Sequence, residues 1–344
     1  MTVMAVNQYR QAAARLHSIP RMSCGFYPTP LEDLSRLREA LGGGPRLLIK
    51  RDDYTGVGCG GNKVRKLEYA LARAAADGAE VVITMGGEKS NHARMTAAMC
   101  ARLGLGCVLV LNLAAAGSVP PGFKPASLFI DEAFGAEIHL VGGREERKAT
   151  AERIAAELRR EGKRVTTIPL GASDPLGALG FARAVEEAAA QLNALGARPT
   201  HIFHASSSGG TQAGLLAGCR LFGFEDVSVI GVSADDSSAS IGSEIAGMVK
   251  GVYELLDVPA PERPGDRITV LDDYVGPGYG LSAPESAAAS SLLARAEGVL
   301  LDPVYTAKAM AALIDWIEKG RLTERDTALF WHTGGQMAMF FTPA

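Results

Sequence analysis

Short apolar runs alternate with longer amphipathic segments along most of the chain. The short runs are rich in β-branched residues and are bounded by turn residues, which is typical of buried strands. In the longer segments apolar residues recur one helical turn apart, as Leu67 and Leu71 do, and Gly78 suits the end of that helix. This alternation predicts an α/β protein with mostly parallel sheets and helices on both faces.

The strands are predicted at 47–50, 81–85, 107–113, 137–141, 165–169, 201–205, 227–233 and 328–332. The helices are predicted at 64–77, 91–103, 144–161, 175–195, 211–222, 283–297 and 304–319. Ile154 and Leu158 share one side of the 144–161 segment, and its many charges are expected to form a solvated face. Loops rich in proline and glycine are predicted at 117–125 and 259–266, as surface connections or lids.

Composition places the chain among ordinary globular enzymes. It has 344 residues, a hydrophobic fraction of 47% and a net charge of -3, and a prior of roughly 150 residues per domain suggests two domains. No basic stripe is visible, so nucleic acids and anionic membranes are not expected partners. No apolar run approaches the ~18 residues of a membrane span, and the N-terminus lacks a signal-peptide pattern. The five cysteines have no metal-binding spacing, so we expect reduced thiols in a cytoplasmic protein and no metal.

A glycine-rich stretch, GVGCGGNK, leads from Gly56 into the helix predicted after Lys63. It satisfies G-x-G-x-x-G, but a dinucleotide site also needs an acidic residue at the end of the next strand, which here ends in Gly86. A phosphate-binding P-loop needs Gly-Lys-Ser/Thr, whereas Asn62 precedes the lysine and Val64 follows it. A lysine is electrostatically unfavourable at a helix N-terminus. Lys63 is therefore either a solvated residue on a flexible turn or a residue placed for chemistry.

A second glycine-rich turn, SSSGGTQAG at 206–214, follows an apolar run and opens another predicted helix. Small residues let backbone N–H groups converge, and the helix start adds positive potential, as in sites that bind a phosphate dianion. Taken alone, the turn is more often an ordinary strand–helix loop. Together with a lysine placed for bonding, it suggests pyridoxal 5'-phosphate, whose aldehyde would bond to Lys63. The residues expected to hold the phosphate are Ser208, Gly209, Gly210 and Thr211.

Six motifs follow one another along nearly the whole chain: GGNKVRKLEY, SNHAR, SSGGTQAG, GPGYG, EGVLLDPVYTAKAM and HTGG. In this order they resemble the D-cysteine desulfhydrase and 1-aminocyclopropane-1-carboxylate deaminase family. Its members are pyridoxal-phosphate enzymes of the tryptophan synthase β-like fold, fold type II. The resemblance implies a large cofactor-binding domain at 1–67 and 176–344, a small domain at 68–175, a cofactor between them, and a homodimer.

The resemblance also implies roles for single residues around the cofactor. Lys63 would form the Schiff base and move the proton at Cα, and Asn91 would hydrogen-bond the ring hydroxyl and border the substrate. Thr306 would donate a hydrogen bond to the pyridine nitrogen, where the deaminase branch has a glutamate. Thr333, in HTGG, stands where that branch tends to have leucine. A threonine cannot stabilise a full pyridinium charge, so the ring is a weaker electron sink, which is adequate when a good leaving group departs from Cβ.

On the substrate side, Ser90 and neighbouring N–H groups would receive the carboxylate at a helix start, although serine also favours a plain helix cap. Tyr279 and Tyr305 would flank the substrate and position it or pass a proton, although each alone would fit a packing role. His92 has a minor expected role in substrate binding, because a lone histidine is more often structural. Lys89 stands where the family usually has glutamine, and is either solvated or a contact for an anionic substrate side chain.

These assignments favour β-elimination from a small β-substituted amino acid, with D-cysteine giving pyruvate, sulfide and ammonia. L-Cysteate, whose sulfonate would suit Lys89, and 1-aminocyclopropane-1-carboxylate are alternative substrates. Two other classes of protein are also open. One is a nicotinamide-dependent oxidoreductase built on GVGCGG, which the missing acidic residue disfavours, and the other is a relative that binds the cofactor or an amino acid without turnover.

Overall fold

The computed structural model describes residues 3–113, 126–261 and 264–341, which form two sheets flanked by helices. Within these ranges the strands are β1 Leu31–Asp33, β2 Arg46–Arg51, β3 Val81–Gly87, β4 Gly106–Asn112, β5 Glu137–Val141, β6 Val165–Thr167, β7 His201–Ser206, β8 Ser228–Ser233, β9 Thr269–Leu271 and β10 Thr327–His332. The α-helices are α1 Val3–Ser18, α2 Ser35–Ala40, α3 Lys63–Ala76, α4 Asn91–Leu103, α5 Ala126–Ala133, α6 Glu146–Arg160, α7 Pro175–Ala194, α8 Gly210–Leu221, α9 Ser238–Leu256, α10 Pro284–Glu297 and α11 Thr306–Glu318.

Both sheets are rich in parallel strands. The larger sheet has the order β1-β2-β10-β7-β8-β9, in which β1 is antiparallel to β2 and the other pairs are parallel. The smaller sheet has the order β5-β4-β3-β6 and is parallel throughout. Along β10, Phe330 packs with α10 and α11, whereas Leu329 and Trp331 pack with α7 and α8. The predicted α/β class with helices on both faces is therefore confirmed.

All eight predicted strands are present, and their ends agree within two residues. The sequence pattern does not reveal the short strands β1 and β9 or the helices α1, α2, α5 and α9. Three glycines lower the helix propensity of α9, yet its apolar residues from Ile241 to Leu256 form one buried stripe. An added Cβ at Gly251 would lie 2.3 Å from the ring of Pro175. Close packing on α7 thus outweighs the weak local propensity of α9.

The structure tests the predicted loops and domains only in part. The loop predicted at 117–125 lies outside the described residues, and the end of the one predicted at 259–266 instead forms a 3₁₀ helix, Pro264–Arg267. The strands of the smaller sheet lie inside the predicted small domain, 68–175, and those of the larger sheet lie outside it. The predicted boundary after residue 67 falls within α3, and the division into domains stays a prediction.

Some broad properties of the chain can be checked directly. No helix in the described ranges is both long and apolar enough to cross a membrane. Nor do those ranges contain a group of three or more His, Cys, Asp and Glu side chains placed to hold a metal ion. The five cysteines are free thiols, and all except Cys59 are buried.

The helices that lead to the two glycine-rich stretches pack closely. An added Cβ at Gly180 of α7 would lie 2.2 Å from the carbonyl oxygen of Arg65 in α3. One at Gly214 of α8 would lie 2.2 Å from the carbonyl oxygen of Ala178 in α7. Only glycine permits backbones to approach this closely. Because α3 begins at Lys63 and α8 begins in the serine–glycine turn, this packing fixes the lysine relative to that turn.

A buried group of charges ties α3 to β2 and α7. Arg65 donates to both oxygens of Asp52 at 2.8 Å, and to the two oxygens of Glu187 at 2.9 and 3.0 Å. Lys50 also pairs with Glu187, and the indole nitrogen of Trp331 donates to Asp52 at 2.8 Å. Bidentate contacts between arginine and carboxylates are among the strongest hydrogen bonds in proteins. Each buried charge here has a partner, so removing one partner leaves another charge uncompensated.

Arg65→Met should lower the free energy of unfolding by about 3–5 kcal/mol, because the buried Asp52 and the partly buried Glu187 lose the cation they share. Arg73→Met is the matched control on the same helix, since its pair with Asp77 is exposed; we expect a change within about 1 kcal/mol. Urea unfolding followed by circular dichroism measures both changes. Equal effects of the two substitutions would contradict a special role for the buried pairing.

Glu187 should make stability depend on pH in the acid range. Burial alone would raise the pKa of its carboxyl, but Arg65 and Lys50 outweigh burial and lower it from 4.5 to about 2. Folding therefore favours the carboxylate, and its contribution of about 3 kcal/mol is complete above the unfolded pKa and is lost as the pH falls toward 2. Urea unfolding between about pH 6 and pH 2 should show this loss, with a flatter profile for Glu187→Gln. Identical profiles would rule out this assignment.

Candidate active site

A cleft lies where strand ends from both sheets meet. Gly87 ends β3, Asn112 ends β4 and Ser206 ends β7, and all three line the cleft. Parallel sheets bind ligands at their carboxyl edge, where loops and helix N-termini converge. The cleft contains about 960 Å³ of empty space, counting its open mouth. Sites for cofactors and small molecules typically measure about 300–1,000 Å³.

Lys63 enters the cleft from the start of α3. Before it, Gly60 has φ +75°, and an added Cβ would lie 2.0 Å from a backbone carbonyl oxygen, so the turn requires glycine. The backbone N–H of Asn62 donates to the carbonyl of Thr333 at 2.9 Å, and its side chain donates to Thr211 Oγ1 at 3.0 Å. These bonds hold the residue before the lysine against both β10 and α8.

The amine of Lys63 has the properties of a nucleophile. Burial lowers its pKa to about 8, because desolvation disfavours the ammonium form. No residue in the described ranges offers this amine a hydrogen bond or an ion pair. A neutral fraction is therefore present near neutral pH, as bonding to an aldehyde requires. The structure thus favours a lysine placed for chemistry over a solvated lysine.

The serine–glycine turn and the start of α8, residues 206–211, form an anion cradle. Ser208, Gly209 and Thr211 line the cleft, and Gly209 has φ +76° immediately before the helix. Behind the turn, Ser173 Oγ lies 2.7 Å from Ser208 Oγ and accepts a hydrogen bond from Lys66 Nζ at 2.6 Å. The backbone N–H groups at the start of a helix have no partner within the helix, and together with the helix dipole they favour an anion at the start of α8.

Lys66 is a buried lysine beneath the anion cradle, and the sequence analysis assigns it no role. An added Cβ at Gly210 would lie 2.6 Å from its Nζ. Its side chain is fully buried, and no carboxylate of the described chain lies within ion-pair distance. Burial and the nearby Lys63 hold the pKa of its amine well below the usual range. A bound phosphate would supply the anion that the protonated amine of Lys66 lacks. The sequence does hint at this role, because residues three apart on a helix lie on the same face and Lys66 follows Lys63 by three positions.

Ser90 and Asn91 begin α4 beside the cleft. Ser90 Oγ accepts the N–H of Ala93 at 3.2 Å, so the serine does cap the helix. Its hydroxyl proton is left for an anion at the same helix N-terminus, and the two roles are compatible. The side-chain oxygen of Asn91 is buried without a hydrogen-bond partner in the described structure. It is an acceptor suited to a ligand hydroxyl.

The hydrogen bonds around His92 fix its tautomer. Thr84 has one hydroxyl proton, which it donates to the carbonyl of Ile168 at 2.9 Å. Thr84 must therefore accept from His92 Nε2, 2.7 Å away, which leaves Nδ1 as an acceptor without a partner among the described residues. Burial, Lys63 and Lys66 hold the pKa of the ring well below its usual range. His92 therefore lines the cleft as a neutral imidazole.

Tyr279 and Tyr305 both line the cleft, and their hydroxyl groups are hydrogen-bonded to each other. The ring centroids are 5.9 Å apart and the planes are inclined by 75°. Burial raises the pKa of both phenols, so both are protonated near neutral pH. An added Cβ at Gly87 would lie 3.8 Å from the Tyr279 ring, so this tyrosine reaches across to the smaller sheet. The pair can orient a substrate and carry a proton.

Three predicted site residues, Lys89, Gly210 and Thr306, are not among those that line the cleft. Thr306 is fully buried, and its hydroxyl donates to Asp302 Oδ1 at 2.6 Å. The structure therefore does not support a hydrogen bond from Thr306 to a pyridine nitrogen, because its single proton is already used. Lys89 lies in the turn before α4 and is likewise not supported as the contact for an anionic side chain. Thr333, in contrast, lines the cleft, and its contact with the cofactor stays a prediction.

Two arginines that belong to the predicted solvated segment line the cleft instead. Arg144 follows β5, and Arg147 lies in the first turn of α6. The guanidinium of Arg144 pairs with Asp235, which follows β8 in the larger sheet, at 2.7 Å. Periodicity identifies the apolar side of a helix, but it gives no sign that the helix start faces another sheet.

These groups fit pyridoxal 5'-phosphate. Lys63 offers an unpaired amine for the aldehyde, and the anion cradle with Lys66 beneath it suits the phosphate. The orphaned side-chain oxygen of Asn91 suits the ring hydroxyl. An amine, an anion site and a lone acceptor thus meet in one cleft, as the resemblance implied.

Comparisons with known proteins match the chain to one family and to several solved structures. The family described as pyridoxal-phosphate dependent enzymes matches residues 22–334. A solved structure described as an ACC deaminase homologue is 37% identical, with 94% of each chain covered and a TM-score of 0.84. A threonine deaminase from T.th. is 21% identical over 97% of this chain and 98% of its own, with a TM-score of 0.64. An L-serine ammonia-lyase from Rhizomucor miehei is 18% identical over 91% and 95%, also with a TM-score of 0.64.

The last two similarities show the fold alone. The family match spans most of the chain, and the 37% identity extends over nearly its whole length. The chain therefore belongs to the pyridoxal-phosphate-dependent enzymes of fold type II, and its cofactor is pyridoxal 5'-phosphate.

Proposed function

We propose that this protein catalyses β-elimination from a small β-substituted amino acid, releasing the substituent, a 2-oxo acid and ammonia. The observation that carries the proposal is the setting of Lys63, whose amine has a pKa of about 8 and no protein partner in the described chain. The same cleft holds the start of α4 and the protonated pair Tyr279 and Tyr305. A base, a carboxylate receptor and a proton donor therefore surround one small volume.

The residues of the cleft divide the tasks of holding the cofactor. Lys63 would bond to the aldehyde, Asn91 would accept from the ring hydroxyl, and Lys66 would support the phosphate in the anion cradle. Pyridoxal phosphate, when bound, delocalises the negative charge that develops at the substrate Cα.

Protein groups bind the substrate and move its protons. The N–H groups at the start of α4 and the Ser90 hydroxyl bind the α-carboxylate. The amine of Lys63 takes the Cα proton, and its lowered pKa keeps a neutral fraction available. Tyr279, hydrogen-bonded to Tyr305, positions the β-substituent and supplies a proton as that group leaves.

The acids near the cleft favour elimination over ring opening. No carboxylate is among the described residues that line the cleft. The buried carboxylate of Asp302 already accepts the N–H groups of Val304, Tyr305 and Thr306 at 2.9 Å. Among the described residues, neither a lining side chain nor the nearby Asp302 therefore offers a free carboxylate to stabilise a fully charged pyridinium. Expelling a good leaving group needs less charge delocalisation than opening a cyclopropane does.

From the family resemblance we propose D-cysteine as the first substrate to test, with pyruvate, sulfide and ammonia as products. L-Cysteate and 1-aminocyclopropane-1-carboxylate are the alternatives, and a relative that binds without turnover is the rival from another class. From the same resemblance we propose a homodimer that acts in the cytoplasm.

A substrate panel tests the reaction. Holoenzyme is incubated with D-cysteine, L-cysteate, β-chloro-D-alanine and 1-aminocyclopropane-1-carboxylate, and 2-oxo acid release is followed with a coupled dehydrogenase. We expect pyruvate from at least one β-substituted amino acid and no 2-oxobutyrate from the cyclopropane. Turnover of the cyclopropane alone would refute β-elimination, and no turnover at all would favour the silent relative.

Lys63→Ala should abolish turnover and the visible absorbance of the lysine-bound cofactor, because both the bonding amine and the base are lost. Lys89→Ala is the matched control, since it removes a nearby lysine that does not line the cleft. It should keep both properties. Absorption spectra and pyruvate assays on the two purified variants measure them, and full activity in Lys63→Ala would end the proposal.

A further inference from the structure

The cleft has more basic side chains than a cofactor and one α-carboxylate require. Its lining, among the described residues, includes Lys63, Arg144 and Arg147 and no carboxylate. Under the proposed function Lys63 bonds to the cofactor, Lys66 lies beneath the phosphate, and the start of α4 binds the α-carboxylate. The guanidinium groups of Arg144 and Arg147 have no role in this arrangement.

These two groups differ in their partners. Arg144 is paired with Asp235 at 2.7 Å. Arg147 donates from Nε to the carbonyl oxygen of Arg144 at 3.0 Å, and its terminal nitrogens have no partner in the part of the chain that the structure describes. Its side chain is half-buried, and burial and Arg144 lower its pKa, which nearby acidic groups only partly oppose. A planar fork with free N–H donors is suited to a carboxylate, sulfonate or phosphate.

Strand order separates Arg147 from the α-carboxylate site. Ser90 follows β3, whereas Arg144 and Arg147 follow β5, and β4 lies between these strands. Adjacent strands are ~4.8 Å apart, so the two loops begin roughly 10 Å apart. An arginine side chain is long enough to extend across part of this gap, and Ser90 and Arg147 line the same cleft. Tyr279 lies against Gly87 at the end of β3, and it lines the same cleft as Arg147.

We propose that the substrate carries an anionic β-substituent, such as a sulfonate or a phosphate ester, and that Arg147 binds it. This inference rests on the proposed β-elimination, and it ranks substrates with an anionic β-substituent, L-cysteate among them, ahead of D-cysteine. The α-carboxylate lies at the start of α4, and the second anion lies at Arg147. Lys63 takes the Cα proton, the electron pair of that bond forms the Cα=Cβ double bond, and the pair of the breaking Cβ–S or Cβ–O bond leaves with sulfite or phosphate. Arg147 stabilises the charge on that leaving group.

Arg147→Gln tests the assignment, with Lys148→Gln as the control that removes the same charge from an exposed neighbour. For each protein kcat/KM is measured with cysteate and O-phosphoserine, and with cysteine and β-chloroalanine, in both enantiomers. The ratio of anionic to neutral substrates should fall about 10–100-fold in Arg147→Gln, the range expected for losing hydrogen bonds to a charged group. It should not change in Lys148→Gln.

A binding assay tests the same contact without turnover. Aspartate and asparagine have nearly the same shape and differ in one charge, so each is titrated into holoenzyme by calorimetry. Wild type and Lys148→Gln should bind aspartate more tightly than asparagine, whereas Arg147→Gln should lose this preference.

The outcomes separate the inference from the proposed function. Equal losses on anionic and neutral amino acids would show that Arg147 binds the shared α-carboxylate, and an unchanged ratio would show that it faces solvent; either result overturns the inference. If no amino acid is turned over, the proposed β-elimination fails. The comparison of aspartate with asparagine then still decides whether Arg147 reads a second anion.

Discussion

The close contact of α3, α7 and α8 is the constraint on which the site depends. Glycine lets the backbones of α3 and α7 touch at Gly180, and those of α7 and α8 touch at Gly214. Two residues after Lys63, Arg65 is held between the carboxylate of Asp52, which follows β2, and that of Glu187 on α7. Helices are stiff, so fixing them against each other fixes the distance from the reactive amine to the anion cradle. A cofactor held covalently at one end and ionically at the other requires this distance to be constant.

Buried positive charge is the second theme of the molecule. In the buried network of α3 every cation has a carboxylate partner, which suits a structural role. Around the cleft, Lys63, Lys66 and Arg147 have no carboxylate partner among the described residues. Burial lowers the pKa of all three groups, and an anion bound beside them would favour their charged forms. The contrast distinguishes charges that hold the fold together from charges that await a ligand.

Single hydroxyl protons decide what two predicted residues can do. The proton of Thr84 goes to the carbonyl of Ile168, and this makes His92 a neutral ring with a bare Nδ1. The hydroxyl of Thr306 donates its proton to Asp302, so it has none left for a cofactor. Thr333, the threonine of HTGG, lines the cleft instead. A threonine at the expected position is therefore not enough for a role, since its hydroxyl has one proton and the fold chooses the acceptor.

Alone, the sequence determined what depends on local spacing: the alternating strands and helices, the lysine after its glycine turn, the serine–glycine turn and the helix start at Ser90. These follow from periodicity and turn chemistry within a few residues. Only the tertiary structure decided that Lys66 supports the anion cradle through Ser173, that Arg144 and Arg147 line the cleft, and that Lys89 does not. Such contacts join residues far apart in the chain, and strand order and close helix packing bring them together. No local pattern encodes which loops will meet at the shared edge of two sheets.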